Sequence, residues 1–168
     1  STEAMGKGFA SAGLLSIESM IALWLVISRL VRGHLSRFSE ATALACLTSI
    51  CAYAANDSVL KVVFGVPNPE AFLNGARHAM QHLGGSANCS FPSGHMMLAG
   101  AFAGVYMRLY RRSRWVFTVL LLIAAVLLVV GDWHFVSDVI AGGFLGVSAG
   151  LLSGELWLAH AGSVSRSR

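Results

Sequence analysis

Long apolar runs separated by short polar stretches dominate the chain, and charged residues are absent from 115–131 and from 139–154. About 20 apolar residues suffice to cross a bilayer as a helix, and most of these runs reach that length. The pattern therefore predicts an all-α, polytopic membrane bundle of about five transmembrane helices. The predicted helices cover approximately residues 9–30, 38–64, 93–110, 115–130 and 136–158.

The composition is typical of a membrane protein, because 55% of the 168 residues are hydrophobic and only 12% are charged. A soluble domain of this length would carry about a quarter charged residues. The length suits one compact bundle, so we expect a single domain over residues 1–168.

Arginines cluster in two of the connections, 29–37 and 108–114, and supply much of the net charge of +4. Cationic loops mark the cytoplasmic side of a membrane protein, which explains this charge without a nucleic-acid partner. If the five helices alternate in direction, the opposite face receives Lys61, the 65–92 connection and the turn near His134. The sequence thus predicts a site on the outer face.

The 65–92 connection is the only long loop between the predicted helices, and prolines and glycines interrupt it. Residues 71–82 within it have the spacing of a short amphipathic helix. Long loops of this kind often cover a site, so we expect a lid or a substrate guide.

Glycine recurs at every fourth position from Gly142 to Gly154, and the same spacing leads back to Asp138 and His134. Positions four apart share one helix face, and stripes of small residues let membrane helices pack closely. We therefore expect this face, with His134 and Asp138 at its head, to point into the bundle.

The segment Phe91-Pro92-Ser93-Gly94-His95 lies just where an apolar run begins. Proline and serine are common at helix starts, so an ordinary capped helix explains part of the pattern. A helix N-terminus also presents unpaired N–H groups that suit a phosphate, and glycine lets a ligand approach the backbone. Both interpretations remain open on these residues alone.

His134 and Asp138 have the spacing at which a carboxylate one turn along a helix holds an imidazole. The other ring nitrogen could then act as a nucleophile or base, although a structural pair at a helix end has the same spacing. Two histidines without a third ligand argue against a zinc site, so we expect no metal.

Lys61 lies near the outer end of the second predicted helix, one turn after Asp57. It is either an interfacial lysine paired with Asp57 or a ligand for phosphate.

Together these residues resemble the motifs of the type 2 phosphatidic acid phosphatase superfamily, which includes lipid phosphate phosphatases and vanadium haloperoxidases. The 91–95 segment is similar to its second motif and His134-x3-Asp138 to its third. Lys61-x6-Asn68-Pro69 has the spacing of its first motif, K-x6-R-P. The order of the motifs and their places at helix ends also correspond.

The resemblance implies a catalytic role for three residues and no cofactor. His134 would attack phosphorus and form a phosphohistidine, Asp138 would orient it, and His95 would protonate the leaving group. The phosphoryl oxygens would be held by Lys61, Ser93, the Gly94 backbone N–H and Asn68.

The sequence departs from the family pattern at both arginines that grip phosphate. Asn68 replaces the first, and Leu127 and Leu128 occupy the Ser-Arg positions of the motif S-R-x5-H-x3-D. Neither asparagine nor leucine can replace the charged, bidentate contact of arginine. Arg77 in the 65–92 loop, helped by His78 or His82, is one candidate replacement.

We accordingly expect a phosphatase acting on a phosphate monoester or diphosphate of a membrane lipid. The alternatives are a lipid phosphotransferase similar to sphingomyelin synthases, which lack the arginine pattern, and an inactive member with a vestigial pocket. The expected location is a bacterial inner membrane with the site facing the periplasm. The sequence leaves the oligomeric state open.

Overall fold

The computed structural model describes residues 2–33, 35–67, 69 and 89–166, and this part of the chain is helical without a strand. The predicted all-α bundle is confirmed. The predicted loop helix at 71–82 and Asn68 lie outside the described residues. The five helices are α1 (Thr2–Arg32), α2 (Arg37–Phe64), α3 (Gly94–Leu109), α4 (Arg114–Val130) and α5 (Val136–Arg166).

Three segments in the described part of the chain are long and apolar enough to cross a membrane, so this is a membrane protein. They are Arg37–Phe64, Arg111–Val130 and Val136–Ala161. The first and last helices extend beyond the predicted apolar runs, α1 back to Thr2 and α5 on to Arg166. Apolar patterning underestimates them because polar residues can continue a helix beyond its buried or lipid-facing part.

α2 contains a π-helical turn at Asn56–Leu60, and this turn decides which way Lys61 faces. The Lys61 N–H donates to the Asn56 carbonyl, five residues back, in place of the usual four. Five residues of regular α-helix would rotate Lys61 about 140° past the face of Asn56. The wider turn keeps both residues on nearly the same face. α2 then ends at Gly65, whose φ of 55° is left-handed.

α3 and α5 form the most extensive helix contact, and glycines bring their backbones together. A Cβ added at Gly142 would collide with the Ser93 carbonyl, and one added at Gly146 would collide with the Met97 carbonyl. Gly150 lies in the same way against the Ala101 carbonyl. The predicted inward-facing glycine stripe is therefore confirmed.

Polar contacts inside the bundle connect α2 to its neighbours. The buried Ser49 hydroxyl donates to the Glu18 carboxylate of α1. The Thr42 and Tyr106 hydroxyls, on α2 and α3, lie 2.7 Å apart. α4, by contrast, has no buried residue, so its apolar side chains are available to lipid.

The glycine seam, in which Gly142, Gly146 and Gly150 lie against the backbone of α3, predicts different outcomes for two neighbouring alanine substitutions. Gly146→Ala should destabilise the protein by about 1–3 kcal/mol, because its Cβ meets a backbone carbonyl that cannot move alone. Gly143→Ala should be neutral or stabilising, because its Cβ meets only the flexible end of Met96 and alanine favours helix. Thermal unfolding in detergent measures the Tm of both variants. Equal Tm values would contradict the close backbone packing at Gly146.

Candidate active site

The ends of α2, α3 and α5 meet at one end of the bundle, and they bring together residues that are distant in sequence. The rings of His95 and His134 lie with their centroids 5.8 Å apart, edge to face. Asp138 follows His134 by one turn, and the positive charge of Lys61 is close enough to act on His95. Of the predicted site residues, these four surround one space.

Asp138 is held rigidly beneath His134. Its side chain is only 1% exposed, and Oδ2 accepts the Phe135 backbone N–H at 2.9 Å. The Ser90 hydroxyl also interacts with this carboxylate. His134 Nδ1 lies 3.7 Å from Oδ2, slightly beyond a hydrogen bond, so a small ring rotation would complete the pair. Nδ1 therefore faces the carboxylate, and Nε2 is the nitrogen left for chemistry.

The Pro92 to His95 segment starts α3 and is attached to α5. The Ser93 N–H donates to the Asp138 carbonyl at 3.0 Å, and the Ser93 hydroxyl accepts the Met96 N–H at 3.4 Å. A hydroxyl that accepts one bond still has its own proton to donate to a ligand. The first-turn N–H groups of Gly94 and His95 have no partner within the helix. Phosphate binding by Ser93 and Gly94 thus stays a prediction that this geometry permits.

Asn56 is a site residue that the motif analysis missed. Its side chain is fully buried, and Nδ2 donates to the Pro92 carbonyl at 3.2 Å. Tyr53, one turn earlier, occupies the space that a Cβ at Gly94 would need. An asparagine inside an apolar run was the available signal, because buried amides in membrane helices need polar partners.

Lys61 forms an ion pair with Asp57 across one helical turn, with Nζ 3.1 Å from Oδ1. Its side chain is 12% exposed, whereas that of Asp57 is 38% exposed. The two interpretations of Lys61, a paired lysine and a phosphate ligand, are compatible, because the pair lies beside the histidines.

Three buried polar atoms around this space have no hydrogen-bond partner among the described residues: Asn56 Oδ1, His95 Nε2 and His134 Nδ1. His134 Nδ1 faces Asp138, whereas His95 Nε2 is left without a partner; burying such an atom unpaired is unfavourable, which indicates a ligand site at His95. His95 lies in the first turn of α3, outside the three membrane-crossing segments. Burial, followed by the nearby His134 and Lys61, lowers the pKa of His95 to about 4.

The replaced arginines have no substitute among the described residues of the site. Leu127 is 65% exposed, and the Leu128 carbonyl accepts the backbone N–H groups of Trp133 and His134. Asn68, Arg77, His78 and His82 lie outside the described residues. No group of three or more His, Cys, Asp or Glu side chains in the described part could hold a metal ion. The available chemistry is that of a nucleophile, an acid–base histidine and a cation.

Comparison with known proteins gave one match, in which a family model described as PAP2 superfamily covers residues 41–159. That range includes every candidate residue named above. Neither curated proteins nor solved structures gave a match.

The Asn56 contact predicts that α2 positions the Pro92 to His95 segment. Asn56→Ala should lower kcat/KM for a lipid phosphate about tenfold, because it removes a buried hydrogen bond to Pro92. Ser58→Ala on the same turn removes only a bond to its own helix and should leave kcat/KM unchanged. Equal effects of the two substitutions would refute the positioning role.

The lowered pKa of His95 predicts proton uptake on anion binding. A bound anion favours the imidazolium, so affinity should rise as pH falls below the pKa of the complex, by up to about tenfold per pH unit. Sulfate, which stays a dianion throughout the neutral pH range, measures this by calorimetry. His95→Gln should remove most of the dependence. An unchanged pH profile in that variant would show that another group takes up the proton.

Proposed function

The chain belongs to the PAP2 superfamily, whose members are phosphatases, and from that premise we propose that it removes phosphate from an amphiphilic lipid through a phosphohistidine on His134. One observation carries the proposal. His134, backed by the buried Asp138, lies edge to face against His95, whose buried Nε2 has no partner among the described residues. That arrangement supports a nucleophile on His134 and an acid on His95 at one site.

In the first step, His134 Nε2 attacks phosphorus, and the new N–P bond forms as the P–O bond to the lipid breaks. Asp138 accepts a hydrogen bond from Nδ1–H and stabilises the positive charge that develops on the ring. His95, protonated when the anionic phosphate binds, gives its proton to the departing lipid oxygen.

In the second step, water attacks the phosphohistidine and His95 takes the proton from it. The N–P bond breaks, and inorganic phosphate leaves. Lys61 and the N–H groups at the start of α3 are the donors available to the phosphoryl oxygens throughout.

A lipid substrate is supported by the position of the site at the ends of helices that cross the membrane. Only the phosphorylated head would need to reach Lys61 and the histidines, while the hydrocarbon remains among lipids. The arginines at 108–114 lie at the opposite end of α3, which favours a site on the outer face. We propose an outward-facing site, which in a bacterial inner membrane would face the periplasm.

A lipid phosphotransferase is the second candidate, and the replaced arginines favour it. Asn68 and Leu128 in place of the two arginines leave less charge to hold a free phosphate dianion. A phosphorylated head that stays esterified to an alcohol carries less negative charge. In such an enzyme, a lipid alcohol would take the place of water in the second step.

Release of inorganic phosphate from a panel of lipid phosphates and diphosphates tests the proposal. His134→Ala should lower the rate on the order of 1,000-fold or more, because the covalent step is lost. His160→Ala, a histidine on α5 remote from the site, should leave the rate near that of the wild type. Labelled substrate should also give an acid-labile phosphoprotein that His134→Ala cannot form.

Two results would count against a phosphatase. Phosphate release that requires an added lipid alcohol, with a phosphorylated lipid as product, would indicate the transferase. If the wild-type protein turns over no lipid, with or without an alcohol acceptor, the result would indicate an inactive family member.

A further inference from the structure

The proposed chemistry uses Lys61 and leaves its partner, Asp57, without a role. Asp57 Oδ1 lies 3.1 Å from the Lys61 nitrogen, the only lysine or arginine nitrogen that the described residues bring to the histidines. A carboxylate in this position weakens the field that a phosphate would experience, because opposite charges at contact distance largely cancel.

The effect on a purely anionic substrate would be unfavourable. A phosphoryl oxygen bound to Lys61 would lie close to the Asp57 carboxylate, and the buried Asp138 adds a second negative charge nearby. The two arginines that offset such charge in the family pattern are replaced here by Asn68 and Leu128. A substrate that carries its own positive charge near phosphorus would remove this repulsion.

The exposed fractions of the two side chains indicate which member of the Lys61–Asp57 pair contacts the positive charge of the substrate. Lys61 is nearly buried, whereas more than a third of the Asp57 side chain is accessible. Lys61 acts on His95, whereas Asp57, bound to Lys61, keeps side-chain surface that a second group can reach. A headgroup entering with its phosphate toward Lys61 would bring an adjacent substituent against Asp57.

We propose that Asp57 binds a cationic amine of the substrate, so that the site prefers lipid phosphates with an ammonium group close to phosphorus. The inference rests on the proposed function, because it assumes that His134 and Lys61 receive the phosphate. An amine on the carbon next to the ester carbon could contact Asp57 while the phosphoryl oxygens contact Lys61. When Lys61 turns to the phosphate, the ammonium group replaces it as the positive partner of the Asp57 carboxylate.

A matched pair of substrates tests this preference. Sphingosine 1-phosphate has an ammonium group beside its phosphate ester, whereas N-acetylsphingosine 1-phosphate has the same chain and phosphate with an uncharged amide. In detergent micelles, wild-type protein should show kcat/KM about tenfold or more higher for the amine. Asp57→Asn should bring the ratio close to one, mainly by raising KM for the amine, and Asp57→Glu should restore part of it.

Asp132→Asn is the control, because it removes one carboxylate at the same end of the bundle. Asp132 is exposed, and its φ of 55° is a conformation that asparagine also tolerates. This variant should keep the wild-type ratio.

The outcomes separate the two proposals. If phosphate is released from both lipids and the ratio is the same in wild type and Asp57→Asn, the amine site is refuted and the phosphatase stands. If Asp57→Asn lowers both rates equally, Asp57 only orients Lys61 and the amine site is again refuted. If His134→Ala retains activity, the phosphohistidine proposal itself fails.

Discussion

The contact between the start of α3 and the first turns of α5 is the constraint on which the site depends. The Ser93 N–H binds the Asp138 carbonyl, and Gly142 lets the Ser93 backbone lie directly against α5. His95 lies in the first turn of α3, and His134 lies two residues before the start of α5 at Val136. Their separation is thus set by main-chain atoms in direct contact, which leaves little freedom for the rings to drift apart.

α2 contributes the positive charge of Lys61 and forms the remaining side of the site. Its π-helical turn directs Lys61 and Asn56 to the same side, and Asn56 reaches across to Pro92. The turn therefore links the position of the lysine to that of the segment at the start of α3. Irregular turns of this kind are retained in helices where a side chain must be redirected toward a site. The net positive charge on this side of the site is small, because Lys61 forms an ion pair with Asp57.

Much of this architecture follows from local sequence signals. Apolar runs located the five helices, and the spacing of Gly142 to Gly154 identified the inward face of α5, because both depend only on helical periodicity. Family membership followed from the spacing of three motifs and is confirmed. An asparagine inside an apolar run marked Asn56 as unusual, but its partner could not be predicted, because Pro92 lies 36 residues away. The π-helical turn left no signal in the apolar pattern. The ends of α1 and α5 were missed for a different reason, since polar residues extend them beyond the apolar runs.

The glycine seam also has a consequence for how the protein can change over evolution. The spacing between α3 and α5 is set by backbone contacts, so it does not depend on which side chains occupy the rest of the bundle. Side chains outside the seam, such as those at 127 and 128, can therefore be exchanged without moving His95 relative to His134. The backbone contact fixes the spacing of the two histidines, and side chains that it does not need are free to vary.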